Sequence, residues 1–405
     1  MLKSTTVITD ELDDIDAGTS ELARKTLEKI ELQSNSFALL LCDSDVDHED
    51  FARKLHQKLG VPIVGFSSTA MISGQKGLTD MSAVLTTVTS DDVFFSMATS
   101  EPLTPENIVS QIELTYKRAL ESLKGEPALV LAFPPYILGI MLDIYPREFD
   151  RVSGGLPVFG GLPAHDEVNG RTAVYCGDTA ASDRVTVMLA SGAIKPVMTV
   201  KNHIGTLISG LKRTVTSSQD NVVHRVGNGT FVEFIEEFGL DSAKLANPDE
   251  KTTSFTTYPL LIERPDIENP DGVPIVRTLH GIDLQTGSGT AIGEIAEGSV
   301  LSIGVLQAQD IETSTRNSTE DLLAAIKQNE ADGYKYSMVF AVSCVARYYV
   351  MAGRNTLEAD ALKTGLPSDL SLCGYYSFGE ICPTSVRSGR ALNAAHNESL
   401  VLLAI

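Results

Sequence analysis

The chain carries little positive charge: 32 Lys and Arg stand against 53 Asp and Glu, a net charge of −21. A protein that grips phosphates needs clustered Lys and Arg, and no basic stretch occurs here, which excludes nucleic-acid and anionic-membrane partners. Cysteine is sparse as well. The five present (Cys42, Cys176, Cys344, Cys373 and Cys382) are odd in number, widely spaced and never form a Cys-x-x-Cys. That pattern argues against a disulfide frame or a structural zinc site and fits reduced thiols in the cytoplasm. Long apolar runs are missing: the most apolar stretch, 128–142, is too short for a bilayer and is broken by Pro134-Pro135. Residues 1–14 hold one Lys, several acids and no apolar run, so no signal peptide is expected.

What is present suffices for folded cores, since 43% of the residues are apolar. At 405 residues the chain exceeds what one core usually supports, so two domains are expected. The periodicity predicts a mixed α/β fold built from repeated β-α-β-β units, with β-sheets flanked by helices. The first unit has a helix over 20–32, a strand at 37–42, a helix at 49–59, and strands at 61–66 and 82–88. The second has strands at 128–133, 156–159 and 185–190, with a helix-like stretch at 137–149. The third has strands at 336–342 and 371–375 and a closing strand at 398–405. Gly65, Gly160-Gly161 and Gly374 fall at matching places in the second strand of each unit, where a missing Cβ permits close backbone approach. A helix over 105–123 is predicted between units, capped by Thr104, with Ile108, Ile112, Tyr116, Ala119 and Leu123 as its apolar stripe. Residues 196–312 read as β structure with tight turns, Asn228-Gly229 and Asp271-Gly272 among them. The expected domains are therefore 1–195 and 196–405, the latter divided into a β-rich part, 196–312, and an α/β unit, 313–405.

Several motifs are weaker than they look. Asp43-Ser-Asp-Val-Asp47 begins like a calcium loop, but His48 and Lys54 stand where Gly and Glu are required, so capping of the following helix is the better reading. Gly65-Phe-Ser-Ser-Thr69 lacks the last Gly of a nucleophile elbow. Gly287-Ser-Gly-Thr-Ala-Ile-Gly293 has the wrong spacing for dinucleotide binding, and both read as turns. His165-Asp166-Glu167 lacks a partner His at helical spacing. The last unit holds the strongest group. Cys344 and Arg347 follow its first strand, Tyr376, Ser377 and Glu380 follow its second, and His396 and Asn397 precede its third. Such strand ends are where α/β folds gather ligands. Arg347 suits a carboxylate, Glu380 suits an ammonium group, and Tyr376 is placed to close a pocket. The competing reading pairs Arg347 with Glu380 and leaves His396 as a core residue.

These residues also carry a family likeness. Ser343-Cys344 with Arg347, the run Cys373-Gly-Tyr-Tyr-Ser-Phe-Gly-Glu-Ile-Cys-Pro383, and His396-Asn397-Glu398-Ser399 together resemble the end of a FIST C domain. Val276-Arg277, Gly281-Ile-Asp283 and Thr286-Gly287 resemble its earlier signature, while Val64-Gly-Phe-Ser-Ser-Thr-Ala70 and Gly160-Gly161 resemble FIST N, with Met71-Ile72 replacing the usual Gly-Glu. The resemblance implies a sensory protein that binds a small-molecule ligand, amino acids among the ligand classes. Output would pass to a histidine kinase, a chemoreceptor or a cyclic-dinucleotide enzyme; with no such domain attached, a separate partner is expected. Some stand-alone members are haem proteins that sense nitric oxide, and here His165, His396 or Cys382 would have to supply the axial ligand. A third reading, an enzyme with Cys344 or Cys382 as nucleophile and His396 as base, lacks an activating third group.

Overall fold

The computed structural model describes residues 2–165, 172–202, 206–247, 256–264, 275–387 and 389–405. Asp271-Gly272, Asp166 and Glu167 lie outside them.

Three units of one design build the body of the molecule, and each is fuller than the sequence pattern suggested. Every unit runs edge strand, helix, strand, helix, parallel strand, hairpin, closing strand. In the first these are Lys3–Thr9, Ile15–Leu27, Asn35–Cys42, His48–Leu59, Ile63–Ser67, the short pair Met71–Ser73 and Gly77–Thr79, and Ala83–Ser90. The second follows with Val93–Thr99, Ile108–Ser122, Pro127–Phe133, Ile144–Ser153, Val158–Gly161, the pair Val174–Gly177 and Thr179–Ala181, and Thr186–Gly192. The third has Val197–Lys201, Ala308–Glu330, Met338–Cys344, the helices Val345–Val350 and Leu357–Gly365, Ser371–Ser377, the pair Glu380–Arg387 and Arg390–His396, and Leu400–Ala404. In each, the second and third long strands run parallel and the closing strand pairs antiparallel with the first of them.

The hairpins do not stay in their own sheets. That of the first unit pairs with Ser371–Ser377 of the third, that of the second with Ile63–Ser67 of the first, and that of the third with Val158–Gly161 of the second. Three six-stranded sheets are thereby locked in a cycle. The central strands are apolar on both faces, as parallel strands covered on both sides must be. Their alternation sorts the residues: Leu39, Leu41, Leu129, Leu131, Phe340 and Val342 enter one core shared by all three sheets. Leu40, Val130 and Val339 instead pack under each unit's own helices.

The three aligned glycines prove to be sites of close approach. A Cβ on Gly65, Gly160 or Gly374 would lie 1.9, 1.9 and 2.5 Å from the carbonyl oxygen of Leu40, Ala132 and Ala341, its partner on the parallel strand. The β-rich region is an insertion in the third unit, between Val197–Lys201 and the helix Ala308–Glu330, forming a nine-stranded sheet with its own core.

Two helix starts differ from expectation. Ile108–Ser122 begins after a turn, because the Thr104 N–H is held by the Asn107 side chain and Asn107 stands at the cap. The first helix starts at Ile15 rather than 20, because Asp14 caps it by accepting from the Ala17 N–H. Asp47 likewise caps His48–Leu59, accepting from Asp50 N–H, in keeping with the capping reading of 43–47.

Candidate functional site

The parallel strands of the third unit end at Cys344 and Ser377, which stand opposite each other in register. The exchanged hairpin begins three residues after Ser377, at Glu380, and the turn 396–399 leads into the closing strand. Residues from three separated segments therefore meet at one sheet edge, the place where α/β sheets commonly bind ligands. All are buried: Arg347, Glu358, Ser377, Glu380 and Glu398 are fully so, and Asn397 is 4% exposed.

The structure divides the predicted residues between two networks. On the helix side, Arg347 is paired with Glu358, not with Glu380. Its Nε and Nη2 donate to Glu358 Oε1 at 2.9 and 2.5 Å, and Nη2 also reaches Ser314 Oγ at 3.1 Å and Thr315 Oγ1 at 3.2 Å. Ser343 Oγ donates to the other Glu358 oxygen at 2.6 Å. A buried ion pair needs such extra partners, because Coulomb attraction alone hardly repays the lost hydration. Tyr376 lies on this side, its ring packed on Tyr348 with centroids 5.0 Å apart.

On the other side stand Cys344, Ser377, Glu380 and the 396–399 turn. Glu380 Oε2 accepts from the Ser399 N–H at 3.4 Å, and Ser377 Oγ donates to the Gly379 carbonyl at 2.7 Å. Glu398 holds a left-handed backbone, φ 54°, and its Oε1 accepts from Thr278 Oγ1 of the inserted domain at 2.8 Å. His396 Nε2 lies 2.9 Å from the Cys382 carbonyl. Beside it Arg277 clamps the insertion to the body, donating to Asp143 at 2.6 Å and to the Ala395 carbonyl at 3.1 Å.

Burial sets the protonation states. It raises the Glu380 carboxyl well above the usual range, and the Arg347 charge only partly offsets this. Glu398 is pushed up to about 8 by burial, against its Thr278 hydrogen bond and Arg347. Burial lowers His396 to about 4, so its ring is neutral near pH 7. The Cys344 thiol is raised well above its ordinary value by burial and then by Glu380, and burial raises Cys382 too. Protonated thiols are poor nucleophiles.

Several buried polar atoms here have no partner: Arg347 Nη1, Glu380 Oε1, Asn397 Oδ1, Glu398 Oε2 and His396 Nδ1. Sequence reasoning missed Glu358, which sits among alanines in a short helix, and gave Glu398 no role although it stands in the quoted motif. The overlooked signal was Ser314, Thr315, Ser318 and Thr319, a hydroxyl stripe at helical spacing buried in Ala308–Glu330.

Of the haem-ligand candidates, His396 and Cys382 sit inside packed strands and offer no open face to an iron; Cys382 Sγ is turned toward the Thr199 carbonyl. His165 is elsewhere. It stands edge-on to Phe378 with centroids 5.1 Å apart, beside a cleft of about 1080 Å³ lined also by Asp45, Asp47, Tyr136 and Leu138. Among the described residues no three His, Cys, Asp or Glu side chains are grouped as a metal ion would need, and no helix is long and apolar enough to cross a membrane.

Fold and site together define a three-unit α/β protein with an inserted β-rich domain over an enclosed polar cluster. The FIST N domain matches residues 36–228 and the FIST C domain residues 240–383. The chain belongs to the FIST domain proteins, and FIST domains are associated with sensory signal transduction. No curated protein matches it. Among solved structures, cyanuric acid hydrolase from A. caulinodans is similar at 9% identity and a TM-score of 0.35, covering 100% of this chain and 99% of that one. T. maritima PurL complexed with ATP gives 10% identity and a TM-score of 0.21, covering 100% and 71%. Likenesses this distant carry no argument about fold or activity.

Proposed function

We propose that this protein is a sensor whose small-molecule ligand sits at the third unit's sheet edge, among Cys344, Ser377, Glu380, Asn397 and Glu398, backed by Arg347. One observation carries the reading: unpartnered polar atoms from three segments are buried together. Each such atom costs about 1–3 kcal/mol when left without a partner, so a chain that gathers several in one place does so for something that binds them. The raised thiols of Cys344 and Cys382 support binding over nucleophilic chemistry. Thr278 and Arg277 connect the cluster to the inserted domain, which is then the natural route of a signal to a separate partner such as a histidine kinase, a chemoreceptor or a cyclic-dinucleotide enzyme.

Thermal unfolding against amino acids and simple amines tests this. A ligand at 100 times its Kd adds about 2.7 kcal/mol of stability. The increase should vanish in Glu380→Gln; a stabilising ligand whose effect survives that substitution binds elsewhere and defeats the assignment.

A further inference from the structure

The unpartnered atoms of the cluster are unequal in kind. Three are oxygen acceptors, Glu380 Oε1, Glu398 Oε2 and Asn397 Oδ1, and the Nδ1 of neutral His396, whose Nε2–H faces the Cys382 carbonyl, is a fourth acceptor. On this side of the sheet, beyond the Cys344 thiol beside Glu380, what they lack is hydrogen-bond donors. The guanidinium of Arg347 spends Nε and Nη2 on Glu358 and leaves one NH2 group, Nη1, without a partner. The formal charges point the same way. Ionised together, the three fully buried carboxyl groups Glu358, Glu380 and Glu398 would face one fully buried cation, Arg347. A bound anion would worsen that imbalance, and a neutral ligand would leave it unchanged. A cation with several N–H donors would relieve it and satisfy the acceptors.

Resting on the sensor reading above, we propose that the ligand of this site is an organic ammonium compound of net positive charge, its N–H donors held by Glu380, Glu398 and Asn397. The three acceptors belong to connected backbone. The Ser399 N–H holds Glu380, the Ser399 hydroxyl donates to the Asn397 carbonyl, and the Cys344 N–H donates to the Ser399 carbonyl. Arg347 and Cys344 act on both Glu380 and Glu398, Glu358 acts on Glu380, and Thr278 approaches Glu398 from the insertion. Without ligand, burial raises both carboxyls, and Glu398, pushed up to about 8, is protonated around neutrality. Ammonium binding must therefore displace protons, and its affinity must climb with pH until the carboxyls ionise unaided.

Titration calorimetry on the full chain with propylammonium, its neutral isostere propionamide, and alanine decides the matter. Amines of this kind titrate near pH 10, so propylammonium stays cationic at pH 9. Expected is propylammonium binding at least about tenfold tighter at pH 9 than at pH 6.5, proton release at the lower pH, and no saturable binding of propionamide. Glu398→Gln should flatten the pH response and weaken binding at pH 9 about tenfold or more. Alanine or propionamide binding with propylammonium silent leaves the sensor reading intact and overturns the cation inference. No binding by any of the three, with only water in the cluster, overturns both. Should Glu398→Gln fail to fold, the wild-type pH dependence decides alone: an affinity flat from pH 6.5 to 9 contradicts the proposal.

Discussion

The second and third units share one order of strands and helices and differ in what those elements bury. In the second, the helix Ile108–Ser122 turns in Ile108, Ile112, Tyr116 and Ala119 with one hydroxyl, Thr115; in the third, the matching helix Ala308–Glu330 turns in four hydroxyls, Ser314, Thr315, Ser318 and Thr319, alongside Ile311 and Leu322. The strands after them end at Phe133, one residue past the pair of Ala132 with Gly160, and at Cys344 opposite Ser377. One copy of the design thus closes with apolar packing, which contributes roughly 25 cal/mol per Å² removed from water. The other closes on an ion pair and unpartnered oxygens, an expensive arrangement that stability alone does not explain. The lesson is that within a repeated architecture function shows as the copy that breaks the packing rule.

The largest effect should come from the third unit's ion pair. Arg347→Ala or Glu358→Ala leaves a buried charge alone and should cost about 3–5 kcal/mol in urea unfolding, while Arg347→Met with Glu358→Leu should be near neutral. A single substitution costing under about 1 kcal/mol would erase the contrast between units. Next, Ile112→Ala in the second unit should cost about 2–4 kcal/mol. Ser318→Ala, which removes only a hydroxyl contact to Thr199, should cost about 1. Equal costs would mean that the hydroxyl stripe packs like an apolar one. Between these two, Arg277→Met should lose about 1.5–3 kcal/mol and loosen the insertion, read as faster hydrogen exchange in Leu279–Asp283.

The pH dependence is the mildest test. Glu398 has a raised folded value, so its protonated form stabilises the fold and that stability is lost as pH rises toward about 8. His396 has a lowered one, so the stability it contributes is lost as pH falls from its ordinary value toward about 4. Above the ordinary histidine range only the carboxyl effect remains. Stability should fall between pH 6.5 and 8 in the ligand-free protein and less so in Glu398→Gln, followed by Tm across that window. Supplied haem should give no Soret band that depends on His396 or Cys382, since neither presents an open face.

Much of this fold was legible in the sequence, for identifiable reasons. Central strands such as 37–42 and 128–133 are unbroken apolar runs, and the aligned glycines marked the close parallel pairs. The short hairpins were not legible, because each pairs with a strand from another unit and carries no local pattern of its own. Ala308–Glu330 escaped because its buried stripe is hydroxylic, so hydrophobic periodicity is weak where the helix matters most. At the site, the meeting of residues from three segments at one edge could be read from strand order. The partner of Arg347 could not: Glu358 and Glu380 are equivalent in sequence, and only the path of the Val345–Val350 helix brings Glu358 within 2.5 Å.

The most direct test of the account sets the enclosed cluster against the open cleft. Thermal unfolding with a stabilising ligand, in wild type, Glu398→Gln and Tyr136→Ala, should show the ligand effect lost in Glu398→Gln and kept in Tyr136→Ala. The opposite outcome, an effect kept in Glu398→Gln and lost in Tyr136→Ala, would place the ligand beside His165 and contradict the claim that the third unit's polar cluster is the sensory site.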